Sequence, residues 1–265
     1  MQITALAENV SHGPLVPEHG LSLYITAGDR RILFDVGPQS GVAFANAEKL
    51  GIDVREVDTV IISHGHDDHG GALGEFLRRN DRAAVYVQRS AFGSFYSTAG
   101  GKRRSIGLDE ALAAHPRVRL LDGDHELDDT ARLITAESGG PYRSEANDRL
   151  FAGEYLDDFR HEQDLVLREG DRTALITGCG HCGIVNILER TRDFAPQLVI
   201  GGFHLCVPPA MTPVRDELLS ALAQRLGEHP ARFYTCHCTG QYSYEYLRAR
   251  CPNVGYISCG ETVTL

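Results

Sequence analysis

The run His64-Gly65-His66-Asp67-Asp68-His69 places four ligand-type side chains, three imidazoles and the Asp68 carboxylate, within six residues. Imidazole and carboxylate together suit zinc, and also iron or manganese. Donors this close in sequence cannot all reach one tetrahedral ion, but two neighbouring ions can share them. Later histidines stand beside cysteines: Cys179-Gly180-His181-Cys182, His204-Leu205-Cys206 and Cys236-His237-Cys238. Thiolates are soft ligands for zinc or for iron–sulfur clusters. Small buried thiols in a reducing compartment are the plainer reading, since no CxxCxxC run is present. Lys102, Arg103 and Arg104 lie in a glycine-rich stretch, where they could clamp a phosphate or simply face solvent.

The surrounding elements read as a scaffold for these residues. LSLYIT (21–26) and RILFDVG (31–37) flank Gly28-Asp29 as a hairpin. A helix follows over 41–51, ending on a glycine. The β-branched run DTVIIS (58–63) is a short buried strand leading straight into the histidine cluster. A helix over 69–80 and a strand over 83–88 come next. Residues 97–107 read as a mobile basic loop and 138–162 as a long polar segment, and loops of that length inside a domain are often functional. The second half repeats the logic with a hairpin over 164–178, helix 183–194, strand 197–202, helix 212–228 with Pro213 near its start, strand 232–236, helix 242–251 and strand 254–258. Strands alternate with helices while hairpins are mixed in. That pattern predicts an α/β fold of two mixed sheets with helices outside.

The chain has 265 residues, enough for one sizeable core, and no linker-like stretch divides it, so residues 1–265 are expected to form a single domain. A formal net charge of -10 argues against a general nucleic-acid binder. MQITALAENV lacks the basic and apolar regions of a secretory signal, and no apolar run approaches a membrane span. A cytoplasmic location is expected, with no nucleic-acid or membrane partner. The odd cysteine count of seven disfavours a disulfide framework.

The His-x-His-x-Asp-His pattern resembles the signature of the metallo-β-lactamase superfamily, and the resemblance extends over nearly the whole chain. It implies an αββα sandwich and two divalent ions, zinc first, with iron or manganese as alternatives. The first ion would be held by His64, His66 and His181, and the second by Asp68, His69 and His237. Asp35 in LFDVG resembles the supporting aspartate that steadies the ligand loop. One departure stands out. Many members carry a bridging aspartate after the strand that here reads LVIGGFHL, and in this chain His204 is the nearest candidate. Histidine offers one nitrogen to one ion and bridges poorly, so His204 is expected to be a terminal ligand, a proton donor or a pocket residue.

Glu18-His19-Gly20-Leu21-Ser22, Gly201-Gly202-Phe203-His204-Leu205 and His237-Cys238-Thr239-Gly240 narrow the resemblance to a subgroup, the dihydropterin-ribofuranosylaminobenzene 5'-phosphate synthases. The implied activity is metal-dependent hydrolysis or group transfer on a small, phosphorylated metabolite, with Asp68 and His204 in catalytic roles. His19 is a candidate substrate contact. Thr239 and Gly240, at the start of the helix near Tyr242, are a candidate anion site. Carboxyl-ester or lactone hydrolysis is the alternative activity. A di-iron or iron–sulfur redox protein is the more distant one, because no flavin domain accompanies the site.

Overall fold

The computed structural model describes residues 1–265. Alternating apolar residues divide each strand between two layers. Along Arg30–Phe34, Ile32 and Phe34 face the central core while Leu33 faces outward. Along Leu198–Gly201, Leu198 and Ile200 face the centre and Val199 the outer layer. This period-two division lets one sheet bury both of its faces.

Two seven-stranded mixed sheets result. The first runs Thr262–Thr264, Gln2–Ala7, Ser22–Ala27, Arg30–Phe34, Thr59–Ile61, Ala84–Gln88, Val118–Leu121. It is antiparallel as far as Arg30–Phe34 and parallel beyond it. The second runs Val254–Tyr256, Arg232–Thr235, Leu198–Gly201, Arg172–Ile176, Asp164–Glu169, Ala131–Ile134, His125–Asp128. Its first four strands are parallel and the rest antiparallel. Residues such as Ile25, Phe34, Leu165 and Ile176 meet between the sheets. Helices Val42–Lys49 and Leu73–Arg79 cover the outer face of the first sheet, and Ile184–Arg190 and Asp216–Glu228 that of the second. The expected αββα sandwich is the architecture found. No helix is long and apolar enough to cross a membrane.

Several element boundaries differ from the sequence reading. The helix expected over 69–80 is two pieces, Asp67–Gly70 and Leu73–Arg79. The helix expected from 212 begins at Asp216, because Thr212–Pro213 pairs with Cys206–Val207 as a ribbon beside the pocket. Leu218, Leu219, Leu222 and Leu226 form its buried stripe, and Asp216 and Glu217 suit its positive N-terminal end. The stretches read as a mobile loop and a long polar segment contribute a four-stranded sheet, ordered Tyr155–Leu156, Leu150–Ala152, Phe95–Ser97, Arg104–Ser105. Strands of two or three residues leave too little periodicity to read.

Candidate metal centre

Strand Thr59–Ile61 delivers Ser63 to His69 to one edge of the sandwich, and the strands Arg172–Ile176, Leu198–Gly201 and Arg232–Thr235 deliver His181, His204 and His237 to the same edge. The loops approach at backbone distance. A Cβ on Gly178 would sit 2.6 Å from the Ser63 Cβ, and one on Gly201 would collide with the Thr177 carbonyl. Asp35, His204 and His237 all hold positive φ (60°, 47° and 49°). Non-glycine residues in that region carry strain, and strain of this kind concentrates at functional sites.

Four imidazoles are oriented in the same way. Asp35, fully buried, accepts the Ser63 N–H at 2.7 Å and the Ser63 Oγ–H at 2.7 Å. With its proton so used, Ser63 Oγ accepts from His64 Nδ1 at 2.8 Å. Asp35 Oδ2 also takes His69 Nδ1 at 2.6 Å. Asn147 Oδ1 faces His181 Nδ1 at 3.0 Å, and Asn9 Oδ1 faces His237 Nδ1 at 2.8 Å. Fixing the proton on Nδ1 leaves the Nε2 lone pair for a ligand. The Nε2 atoms of His64, His66 and His181 are buried without any hydrogen-bond partner, as are both ring nitrogens of His204. Burying a polar atom unpaired is costly, and a divalent ion accepting these lone pairs removes the cost. The residues fit the metal that this donor set implies.

The expected ligand sets assemble in part. His64, His66 and His181 have ring centroids 4.5 to 5.0 Å apart. His66 also has a ligand atom within 4.8 Å of those of Asp157 and His161, with its Nε2 4.0 Å from Asp157 Oδ2. His161 has no lone pair to offer there: its Nδ1 accepts the Gly65 N–H at 3.0 Å and its Nε2 faces Asp157 at 2.9 Å. In the second set, His237 Nε2 lies 3.2 Å from His69 Nε2 and 3.4 Å from Asp68 Oδ2. His19 Nε2 lies 3.1 Å from the same Asp68 oxygen, and its ring is 4.7 Å from that of His237. His19 therefore borders the second ligand set as well as the pocket.

Burial dominates the electrostatics. It lowers His64 and His181 well below the usual imidazole range, helped by neighbouring rings, and brings His66 to about 3. These rings are neutral at pH 7, as a metal requires. In His69 burial acts in the same direction but is overcome by the carboxylates of Asp35 and Asp68, which lift it to about 9 in the metal-free protein. Burial raises Asp68, yet the imidazoles of His69, His19 and His237 outweigh it and hold the carboxylate ionised.

The model of the metallo-beta-lactamase superfamily matches residues 15–192. The chain belongs to the metallo-β-lactamase superfamily. Members are in general metal-dependent hydrolases. This metallo-β-lactamase relative is 27% identical over 249 residues to the uncharacterized protein MJ0448 of Methanocaldococcus jannaschii, covering 90% of each chain. It is 26% identical over 268 residues to the 7,8-dihydropterin-6-methyl-4-(β-D-ribofuranosyl)-aminobenzene-5'-phosphate synthase of the same organism, covering 91% of this chain and 88% of that one. Among solved structures, Tm1679, described as a metal-dependent hydrolase of the β-lactamase superfamily, superposes with a TM-score of 0.80 at 28% identity, covering 100% of this chain and 99% of that one.

The metal groups open on a narrow pocket of about 50 Å³ lined by His19, His66, Asp68, His181, His204 and His237, together with Arg104, Arg149, Ile106, Leu150 and Val207. Thr239 and Gly240, expected as an anion site, do not line it. Thr239 is fully buried, and its Oγ1 accepts the Phe203 N–H at 2.9 Å and meets Thr235 Oγ1. Gly240 packs against Cys206, where a Cβ would lie 2.8 Å from the sulfur. Of the basic run, only Arg104 reaches the pocket. Arg103 turns away to stack on Tyr96 at 4.2 Å and pair with Glu154. All seven cysteines are buried and free. The most that one metal-sized group brings together is two, Cys179 and Cys238, half of what an iron–sulfur cluster held by four thiolates takes.

Sequence reasoning missed Asn9, Asn147, Asp157, His161 and Arg149. Asn9 and Asn147 have no local signal, since each is far in sequence from the histidine it orients, whereas Asp157 and His161 meet each other four residues apart. Ser63 could have been found, because it sits between the buried strand and the first ligand.

Proposed function

We propose that the protein is a dinuclear metal-dependent hydrolase or transferase acting on a small phosphorylated metabolite. The observation that carries this reading is the convergence of His64 and His181, Nδ1-anchored with unpartnered Nε2 atoms, and the other site imidazoles beside a pocket lined by the guanidinium groups of Arg104 and Arg149. His64, His66 and His181 would hold one ion, and Asp68, His69 and His237 the other. Divalent ions held there supply Lewis-acid polarisation of the electrophile and bring the acidity of water to near neutrality.

The chain's own residues supply the rest. Arg149 and Arg104 face the pocket and can take a phosphate in charge-assisted hydrogen bonds. Arg104 lies 3.5 Å from Asp67. Ile106, Leu150 and Val207 cover the apolar part of a substrate and keep water from it. His204, with its ring 4.1 Å from that of His181, can hold or release a proton at the leaving atom. Its backbone is clamped for that task, the N–H by Cys238 Sγ at 3.3 Å and the carbonyl by Ser144 Oγ. The phosphate in the name of the 26%-identical synthase agrees with the choice of substrate class.

The test is a panel of phosphomonoesters, phosphodiesters, organic diphosphates, carboxyl esters and lactones offered to zinc-, manganese- and iron-loaded protein. Phosphate or diphosphate should inhibit competitively, and Arg149→Ala should weaken that inhibition about tenfold, as loss of one charged hydrogen bond implies. His204→Ala should lower turnover about 10²-fold without lowering the melting temperature. If neither anion competes and neutral esters or lactones turn over, the apolar wall of the pocket defines the substrate and the protein is an ester or lactone hydrolase.

A further inference from the structure

The two ligand sets share no carboxylate bridge, yet one atom lies close to both. The Cys179 sulfur is within 4.8 Å of the ring nitrogens of His64 and His181, and equally within 4.8 Å of those of His69 and His237. It stands 3.2 Å from His69 Nε2. The residue is 3% exposed and belongs to the pocket lining. We propose that Cys179 is a metal ligand whose sulfur is shared between the two metal positions. This rests on the metal-dependent reading given above.

Chemistry favours sulfur for this place. A thiolate has several lone pairs and is soft, so it can bind two ions, whereas each nitrogen of His204 can bind only one. As metal binds, the thiol proton passes to solvent. Geometry favours Cys179 over the other thiol nearby. Cys238 Sγ is engaged by the His204 N–H at 3.3 Å and points to the Cys179 carbonyl at 3.5 Å, so it serves the backbone of two loops. Cys238 also belongs to a single metal-sized group, with Cys179 and His204. The position of the sulfur is set by close backbone approach. The Gly202 N–H donates to the Gly178 carbonyl at 2.8 Å, and Gly180 turns the chain at φ 65°.

The experiment measures metal content and zinc X-ray absorption fine structure on the full chain, freed of metal and reloaded with zinc. Four proteins are compared: wild type, Cys179→Ala, Cys179→Ser and Cys238→Ser. Wild type should hold two zinc ions and show a sulfur shell at about 2.3 Å. Both Cys179 variants should lose that shell, and Cys179→Ala should fall towards one zinc. Cys238→Ser should keep the shell. Cobalt loading gives an independent optical reading, a sulfur-to-metal charge-transfer band that disappears only in the Cys179 variants. If Cys179→Ala does not fold, the nearly isosteric Cys179→Ser carries the same readout. A sulfur shell that survives in either Cys179 variant, one that vanishes in Cys238→Ser, or a wild-type shell of nitrogen and oxygen alone overturns the assignment. In that last case zinc is still bound and the metal-dependent reading stands. Wild type that binds no zinc, cobalt, manganese or iron overturns both.

Discussion

Substituting Asp35 by asparagine separates what this side chain does for the fold from what it does for the metal. Asp35 touches no expected metal position. It accepts from Ser63 N, Ser63 Oγ and His69 Nδ1 at 2.6 to 2.7 Å, all in a fully buried setting. Asparagine tolerates the positive φ of 60° at this position, so backbone strain is not added. The amide oxygen can still accept from Ser63 N, but the NH2 group now faces His69 Nδ1 and can only donate. His69 must then carry its proton on Nε2, the nitrogen directed at the second ligand set. The loss of charged hydrogen bonds is worth about 1.5–3 kcal/mol each, so a fall in stability of about that size is expected. Loss of the supporting carboxylate should weaken the second ion by about 10–100-fold, or roughly 1.4–2.7 kcal/mol. Chelator-competition titrations with zinc measure the affinity of each site, and calorimetry of the metal-free protein measures the stability. The first ion should be weakened less, because His64 leans on Ser63 rather than on Asp35 directly. Asp35→Asn protein that binds the second ion as tightly as wild type would refute the argument from the tautomer.

Other substitutions examine other parts of the structure. Gly178→Ala puts a methyl group against Ser63 and 3.3 Å from His64 Nδ1, and should cost about 1–3 kcal/mol with a lowered first-site zinc content; a full zinc complement would show that the loops have room to part. Thr239→Val leaves the buried Phe203 N–H without its acceptor. It should lower stability by about 1–3 kcal/mol, seen in thermal melts, while inhibition by phosphate stays unchanged; weaker inhibition would restore Thr239 to the substrate site. Asp164 is buried with one oxygen unpaired, and burial, then the neighbouring Glu162 carboxylate, raise its pKa well above the usual carboxylate range. An acid protonated in the fold and ionised in the unfolded chain loses stability as pH rises through that window. Asp164→Asn should therefore melt higher than wild type at pH 8, by roughly 2–4 °C for each kcal/mol gained, with the gap closing towards pH 4; a gap that widens on acidification would reverse the sign.

The sequence by itself determined the fold class and the candidate metal-ligating cluster. His64, His66, Asp68 and His69 are legible because four donors follow one buried strand within six residues. The αββα class is legible because strand and helix periodicities alternate while hairpin signals interrupt them at Gly28 and Gly170. Asp35 could be read by resemblance, and the structure supplies its reason in the hydrogen bonds to Ser63 and His69.

Tertiary structure alone decided which nitrogen His181 and His237 offer. The deciding partners, Asn9 for His237 and Asn147 for His181, lie 228 and 34 residues away and belong to other elements. It also decided the fate of polar side chains that look the same in sequence. Thr239 is spent on a backbone N–H, Arg103 on Tyr96 and Arg104 on the pocket, because a side chain's role depends on what the neighbouring loops bring within about 3 Å. Cys179 is the sharpest case. Among seven cysteines its sequence neighbourhood resembles that of Cys182 and Cys238, and only the close approach of glycine-bearing loops sets its sulfur between the two groups of histidines.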